Sequence, residues 1–289
     1  MTTPNVSFEF FPPRSLDASF RLWEAVQTLA PLAPRFVSVT YGAGGTTRRL
    51  THEAVEAIHK NTGLNVAAHL TCVDATRDET LEIARGYAET GVREIVALRG
   101  DPPKGQGSFT PAADGFASSV ELIEALKAAG DFHIRVGAYP DPHPESRGAD
   151  GDVAYLERKF DAGADSAITQ FFFEAETFFR FRDRCEKAGI DPEKIIPGLL
   201  PVEDWPKARR FAEKCGAHIP AWLDDAYDRA IRDDRADLLS VALASELAGD
   251  LVAGGVGDLH FYTLNKPGLT RDVCAALGIQ PRTELSKVA

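Results

Sequence analysis

Apolar positions along this chain alternate between two periods. Short runs rich in β-branched and aromatic residues read as strands: Val6–Phe10, Phe36–Thr40, Asn65–Leu70, Glu94–Leu98, His133–Tyr139, Ser166–Gln170, Lys194–Ile196 and Asp258–Leu264. Between them, apolar residues recur three and four apart, as on one face of a helix. Leu22, Val26 and Leu29 mark a helix over Leu16–Leu29, and Val55 and Ile58 mark another over Arg48–Asn61. Leu81, Ala84 and Ala88 follow the capping-box pattern Thr76-Arg-Asp-Glu79, and Leu156 and Phe160 lie on a helix over Asp152–Gly163. Further helices are predicted over Phe116–Ala129, Glu176–Lys187, Trp205–Lys214 and Leu269–Leu277, with two more in Ala221–Leu251. Glycines 63, 91 and 189 stand where a helix stops.

Eight strand–helix units at near-regular spacing predict a parallel sheet closed into a (β/α)8 TIM barrel, with extra helices between strands seven and eight. Residues 1–289 then form one catalytic barrel domain, because no composition shift marks a second. A doubly wound open sheet is the alternative, but no Gly-rich dinucleotide turn follows strand one.

In the first strand, Val6-Ser-Phe-Glu-Phe-Phe-Pro-Pro-Arg14, the Pro pair ends the ladder and the pleat puts Ser7, Glu9 and Phe11 on one face. A carboxylate set among aromatics must be paired or take up a proton near neutral pH, so Glu9 is either a structural ion pair or a general acid with a raised pKa.

Composition narrows the field. A formal net charge of -11 argues against nucleic acid and against an anionic membrane surface. No apolar stretch is long enough to span a bilayer and no signal peptide is evident. Cys72, Cys185, Cys215 and Cys274 form no C-x-x-C pair, which suits free thiols in a cytoplasmic protein. His69 and Cys72 have no third ligand near them in sequence, so no metal site is expected.

Active residues of such barrels collect at the C-terminal ends of strands. Those ends read Glu9, Thr40-Tyr41, His69, Arg99–Asp101, Tyr139–His143, Gln170 and Tyr262–Lys266: aromatic surfaces with a few charges, as a large flat ligand requires. Arg99, His143, Arg147, Arg158 and Lys159 offer a basic cluster for a pyrophosphate, although a solvated helix face explains Arg158 and Lys159 as well.

The motifs Phe8-Glu-Phe-Phe-Pro-Pro-Arg14, Val37-Ser-Val-Thr-Tyr-Gly42, Ala68-His-Leu-Thr-Cys72, Ala97-Leu-Arg-Gly-Asp101, Ala138-Tyr-Pro, His143-Pro-Glu145, Ala167-Ile-Thr-Gln-Phe-Phe-Phe173, Pro197-Gly-Leu-Leu-Pro201 and His260-Phe-Tyr-Thr-Leu-Asn265 occur in order, each near a strand end. Together they resemble the methylenetetrahydrofolate reductase family over essentially the whole chain. The resemblance implies a barrel that holds FAD and uses NADH or NADPH to reduce 5,10-methylenetetrahydrofolate to 5-methyltetrahydrofolate in a ping-pong hydride transfer, a step of one-carbon metabolism that supplies methionine. It also implies a homo-oligomer.

By the same resemblance, Glu9 is the general acid and Asp101 the carboxylate beside the flavin. Thr40, Tyr41, Ala43, His69, Arg99, Gly100, Asp101, Phe116, Tyr139, His143, Asp152, Tyr155, Arg158 and Lys159 fall on cofactor-contacting positions. Glu9, Gln170, Lys207, Phe211, Tyr262 and Lys266 fall on substrate-contacting ones. Four positions depart from the usual pattern: Lys266 replaces an arginine, Phe116 a tyrosine, Lys207 a glutamine and Tyr155 a small amide. A flavin-free reductase of the same folate and a pterin-binding methyltransferase barrel are the rival readings.

Overall fold

The computed structural model describes residues 3–41, 48–101 and 109–282. Parallel strands alternate with helices as the two periods predict: β1 (Asn5–Phe10), α1 (Leu16–Leu29), β2 (Phe36–Val39), α2 (Arg48–Thr62), β3 (Val66–Thr71), α3 (Arg77–Glu89), β4 (Glu94–Leu98), α4 (Ser119–Ala129), β5 (His133–Ala138), α5 (Ala149–Asp161), β6 (Ser166–Thr169) and α6 (Ala175–Lys187). There follow β7 (Ile195–Ile196), β8 (Gly198–Leu199), α7 (Trp205–Cys215), α8 (Ala221–Arg232), α9 (Ala236–Ala253), β9 (Asp258–Tyr262) and α10 (Pro267–Ala276).

The strands lie in the order β7-β6-β5-β4-β3-β2-β1-β9-β8. The seventh strand, predicted over Lys194–Ile196, ends at Ile196 before Pro197, which has no N–H to give a ladder, and a second short strand follows the proline. Ile195 and Ile196 pair with β6, whereas Gly198 and Leu199 pair with β9. One short segment thus closes the ring, one half on each neighbour. At this seam Tyr262 Oη donates to Thr169 O at 2.6 Å, and Gly198 passes beneath the ring. A Cβ on Gly198 would stand 2.2 Å from Thr169 O and 2.6 Å from the Tyr262 ring, so this close approach requires glycine.

Local chemistry sets the element ends. The predicted capping box forms, with Thr76 N donating to Glu79 Oε2 at 2.9 Å and Glu79 N to Thr76 Oγ1 at 3.2 Å. The helix predicted from Phe116 begins instead at Ser119, because the Ser118 hydroxyl caps it by accepting from Glu121 N. The last strand, predicted to reach Leu264, stops at Tyr262, since Leu264 and Asn265 turn with φ of 50° and 56°.

Side chains alternate across the sheet. Phe8, Phe10, Val37, Val39, Ala68 and Leu70 pack outward beneath the helices, in the main core. The lumen holds Phe36, Ala67, Val96, Ile168 and Ile196, together with the buried polar groups Ser7, Ser38, Arg135 and His260. Among the described residues no helix is long and apolar enough to cross a membrane.

Candidate active site

Glu9 stands near the C-terminal end of β1 with its side chain 14% exposed. Its register partners are Ser38 in β2 and Tyr262 in β9. His69 Nε2, from β3, lies 3.3 Å from Glu9 Oε2, and His260 Nε2, from β9, lies 4.0 Å from the same oxygen. Beyond the strand, the chain is clamped to the loop after β9. Thr263 Oγ1 donates to Glu9 O at 2.6 Å, Asn265 Nδ2 donates to Phe11 O at 2.9 Å, and Phe11 N donates to Asn265 Oδ1 at 2.8 Å. Phe11, grouped with Glu9 by the pleat, is past the end of β1 and 41% exposed.

The protonation state of Glu9 corrects the sequence expectation. Burial pushes the carboxyl up, as its apolar strand predicts, but the imidazoles of His260 and His69 outweigh it and bring the pKa down to about 2. Neither histidine could be placed against Glu9 from sequence, because both arrive from other strands. Burial pushes His260 below the usual imidazole value, against the pull of Glu9. Its Nδ1 is 2.8 Å from Ser7 Oγ, and its ring stacks on Phe36 with centroids 5.6 Å apart. On the other face of Phe36 lies the Arg135 guanidinium, 3.7 Å from the ring centroid and paired with Glu94 at 2.7 Å. The pleat of β1 places Ser7 on the face of Glu9; His260, Phe36 and Arg135 are neighbours that the sequence reading does not place there, and alternation along β9, β2 and β5 carries the only signal for them.

The cofactor positions gather on one side of the mouth. Lys159, on α5, is 6% exposed, and its ammonium donates to Gly137 O at 2.8 Å and lies 5.0 Å from the Tyr155 ring centroid. Burial pushes its pKa down to about 8, with Asp152 pulling the other way. Asp152 accepts from His143 N at 3.0 Å, and the His143 ring meets Tyr139 edge-on at 4.7 Å. Arg99 pairs with Glu145 at 2.7 Å. Asp101 is exposed at the mouth, and its charge raises the Tyr139 phenol, which burial first lifts towards about 12. Gly100 has φ of +85°. Thr40 N donates to Phe10 O at 2.9 Å, which places Tyr41 beside the end of β1.

Arg158 is exposed, with its guanidinium 5.5 Å from the Tyr155 ring centroid, so it lies on the rim. Tyr155 Oη is 3.1 Å from Ser119 Oγ. Phe116 is 0% exposed and packs under the Arg77 guanidinium, in the main core. Ala43 lies outside the described residues.

The substrate positions begin at the end of the next strand, where Gln170 N donates to Ala138 O at 2.8 Å. Gln170 is half-buried, with Oε1 accepting from Phe171 N at 3.1 Å. Phe211 on α7 is 44% exposed and packs its ring 5.4 Å from that of Phe171, itself 6.5 Å from Tyr262. Helix α7 thus carries an aromatic face over the mouth. Lys207 pairs with Asp204 at 2.7 Å and Lys266 with Glu203 at 2.5 Å, both at the outer edge. Cys72 is turned away from His69, its thiol lying 3.6 Å from Leu98 O and 3.5 Å from Ser118 O.

A separate hollow of about 770 Å³ opens outside the barrel between α6, α8 and α9, lined in part by Phe172, Phe179, Trp222 and Leu247. It shares no residue with the cluster around Glu9, and its walls carry no counterpart of that cluster's chemistry.

Does the mouth suit a flavin dinucleotide? A buried ammonium whose only acceptor among the described residues is a carbonyl, without a carboxylate in contact, calls for an anion. Aromatic and backbone surfaces beside it suit a flat ring system. The donor set fits the group.

A family model described as methylenetetrahydrofolate reductase matches residues 1–278. The 5,10-methylenetetrahydrofolate reductase of Escherichia coli K12 is 48% identical over 280 residues, covering 96% of this chain and 92% of that protein. An Arabidopsis thaliana protein, methylenetetrahydrofolate reductase (NADH) 1, is 33% identical over 293 residues, covering 97% of this chain and 49% of that one. Among solved structures, a Clostridium thermocellum protein described as binding two copies of 5-methyl-5,6,7,8-tetrahydrofolic acid superposes with a TM-score of 0.60 at 14% identity, covering 96% of this chain and 95% of that one, and so shares the fold. With an ordered set of strand-end motifs, a parallel barrel and these matches in agreement, the chain belongs to the methylenetetrahydrofolate reductase family.

Proposed function

We propose that this chain, as one catalytic barrel, reduces 5,10-methylenetetrahydrofolate to 5-methyltetrahydrofolate, with FAD as bound cofactor and NADH or NADPH as electron source. The observation that carries the reading is the Glu9 carboxylate set between His69 and His260 beneath a mouth with aromatic walls on one side and the buried Lys159 ammonium on the other. FAD bound there supplies a hydride relay, so that nicotinamide and folate use the mouth in turn, in a ping-pong sequence. Lys159, Arg158 and the backbone around His143 would hold its phosphates, and Tyr139 and Thr40 its ring.

The remaining chemistry belongs to the chain. Reduction of the folate consumes one proton beyond the hydride, and that proton goes to the nitrogen that leaves the bridging methylene carbon. Glu9 is the donor. In the open site it is ionised, with a histidine partner at 3.3 Å. Flat rings that fill the mouth expel water and add to the desolvation that already pushes this carboxyl up, so the neutral acid form gains and its proton, taken from solvent, can be given to the substrate. Asp101, exposed at the rim, is the carboxylate that would stabilise the iminium cation formed when the folate ring opens. Gln170 offers both an acceptor and donors to a pterin edge, and Phe211 an apolar face. Lys266 and Lys207 present cations where a folate tail ends in carboxylates.

That the C. thermocellum protein of the same fold binds a methylated folate supports a pterin at such a mouth. A cytoplasmic homo-oligomer is part of the same reading. The test is direct: purified protein is expected to be yellow, to release FAD on denaturation, and to bleach under anaerobic NADH or NADPH before any folate is added. A colourless protein that still reduces the folate would replace this reading with a flavin-free reductase. Methyl transfer to a corrinoid protein without nicotinamide oxidation would replace it with a methyltransferase.

A further inference from the structure

Four buried side-chain atoms in the lumen have no hydrogen-bond partner among the described residues: Ser38 Oγ, His69 Nε2 and His260 Nε2 around Glu9, and Arg135 Nε below them. Such atoms are rare and costly unless water or a ligand meets them. Ser38 and His260 are each 0% exposed. Ser38 is the register partner of Glu9 on one side and of Ala67 on the other, and Ala67 contributes only a methyl group to the wall. The 4.0 Å between His260 Nε2 and Glu9 Oε2 is too long for a direct hydrogen bond and suits a bridging water.

The hydrogen-bond directions sharpen this. The Ser7 hydroxyl lies 2.8 Å from His260 Nδ1 and 3.2 Å from Leu259 O, and donating to the nearer nitrogen it leaves the imidazole proton on Nε2. That N–H faces the Glu9 carboxylate, the sense in which His260 lowers the carboxyl, across a gap that a water can bridge.

We propose that one ordered water sits behind the Glu9 carboxylate, accepting from His260 Nε2–H, donating to Glu9 Oε2 and hydrogen-bonded to the Ser38 hydroxyl, and that Ser38 is a positioning residue which through this water sets the proton affinity of Glu9. Phe36, stacked on His260, and the Arg135 guanidinium over the Phe36 ring fill the lumen below. The titratable groups that face Glu9 are His69 from β3 and His260 and Tyr262 from β9; Arg135 from β5 acts on it only through His260.

The role in proton delivery rests on the proposed function, whereas the water site does not, and the test separates them. Glu9 is titrated in the folate-free protein by isotope-edited infrared difference spectroscopy or carboxyl carbon NMR, in wild type, Ser38→Ala and Ser38→Thr. Loss of the hydroxyl removes the group that orders the water, so Ser38→Ala is expected to raise the Glu9 pKa by about one unit, and Ser38→Thr to restore it. A crystal structure at high resolution is expected to show the water at this triple point in wild type. An identical Glu9 titration in Ser38→Ala, or clear maps without density there, overturns the proposal. If wild type proves to have no folate reductase activity while the titration shifts as stated, the proposed function falls and the water site stands.

Discussion

His69 Nε2 lies 3.3 Å from Glu9 Oε2, although the two residues are sixty positions apart and on strands separated by β2. The lumen of the barrel makes this meeting, and it gives a buried carboxylate an imidazole neighbour. Removing the ionisable group should therefore separate the two halves of the reaction. Glu9→Gln is expected to leave reduction of the bound flavin by NADH within a few-fold of wild type while folate reduction falls by about a hundredfold or more. Rapid-mixing measurements of each half alone decide it; equal loss in both would make Glu9 structural.

The same pair ties stability to pH. Glu9 has a folded-state pKa of about 2 against an ordinary value of 4.5, so its ionised form favours the folded state. That contribution is complete above pH 4.5 and is lost as pH falls towards 2. Thermal unfolding of wild type and Glu9→Gln should show wild type ahead at pH 6, with the gap closing as pH drops below 4.5. A constant gap would mean that the carboxylate gains nothing from its histidines.

Asp101 is exposed, and its charge reaches the Tyr139 phenol. An anion at that place disfavours extra electron density on a neighbouring flavin and favours a cationic folate. Asp101→Asn is expected to raise the flavin midpoint potential and slow folate reduction, with nicotinamide-driven reduction less affected. Spectroelectrochemistry and single-turnover rates read the two effects; no change in either removes Asp101 from the mechanism.

Lys159 is held at about 8 by burial, below the ordinary lysine value. Its folded-state pKa is depressed, so the charged form opposes folding, and the FAD-free protein should gain stability as pH rises from about 8 towards 10. A phosphate works in the opposite sense by favouring the ammonium, so FAD affinity should fall as pH passes 8. Lys159→Met is expected to raise the melting temperature of the FAD-free protein at pH 7 and to weaken FAD binding about tenfold or more. Stability without FAD and affinity for it are thus predicted to move in opposite directions, which calorimetry and flavin fluorescence can check.

Gly198 tests the seam. Its missing side chain lets Tyr262 reach Thr169 O, and any Cβ there meets backbone at 2.2 Å. Gly198→Ala is expected to cost about 2 kcal/mol in urea unfolding and to weaken folate binding by displacing Tyr262. Normal stability would show that the seam can spread.

Some of this was legible along the chain because the physics behind it is local. The alternation of periods two and three to four, the Thr76–Glu79 box, the glycine stops and the polar residues just past each apolar run depend only on neighbours within a few positions, and they define the strands, the helices and the end of the barrel where chemistry collects. The family motifs sit at those same ends. Other features depend on residues that the chain itself keeps far apart. The seventh strand is predicted to end at Ile196, but only ring closure shows that the residues on either side of Pro197 pair with different strands. Phe116 falls on a cofactor position by resemblance, and only packing shows it buried under Arg77.

The sharpest case is Glu9. From its own strand the desolvation of the carboxyl could be inferred, and that term has the expected sign. What outweighs it comes from His69 and His260, brought to one carboxylate oxygen by strands β3 and β9. Burial is a property that an apolar run announces, whereas the sign of an electrostatic balance depends on which charges and dipoles end within a few ångströms, and that is decided only when the sheet closes.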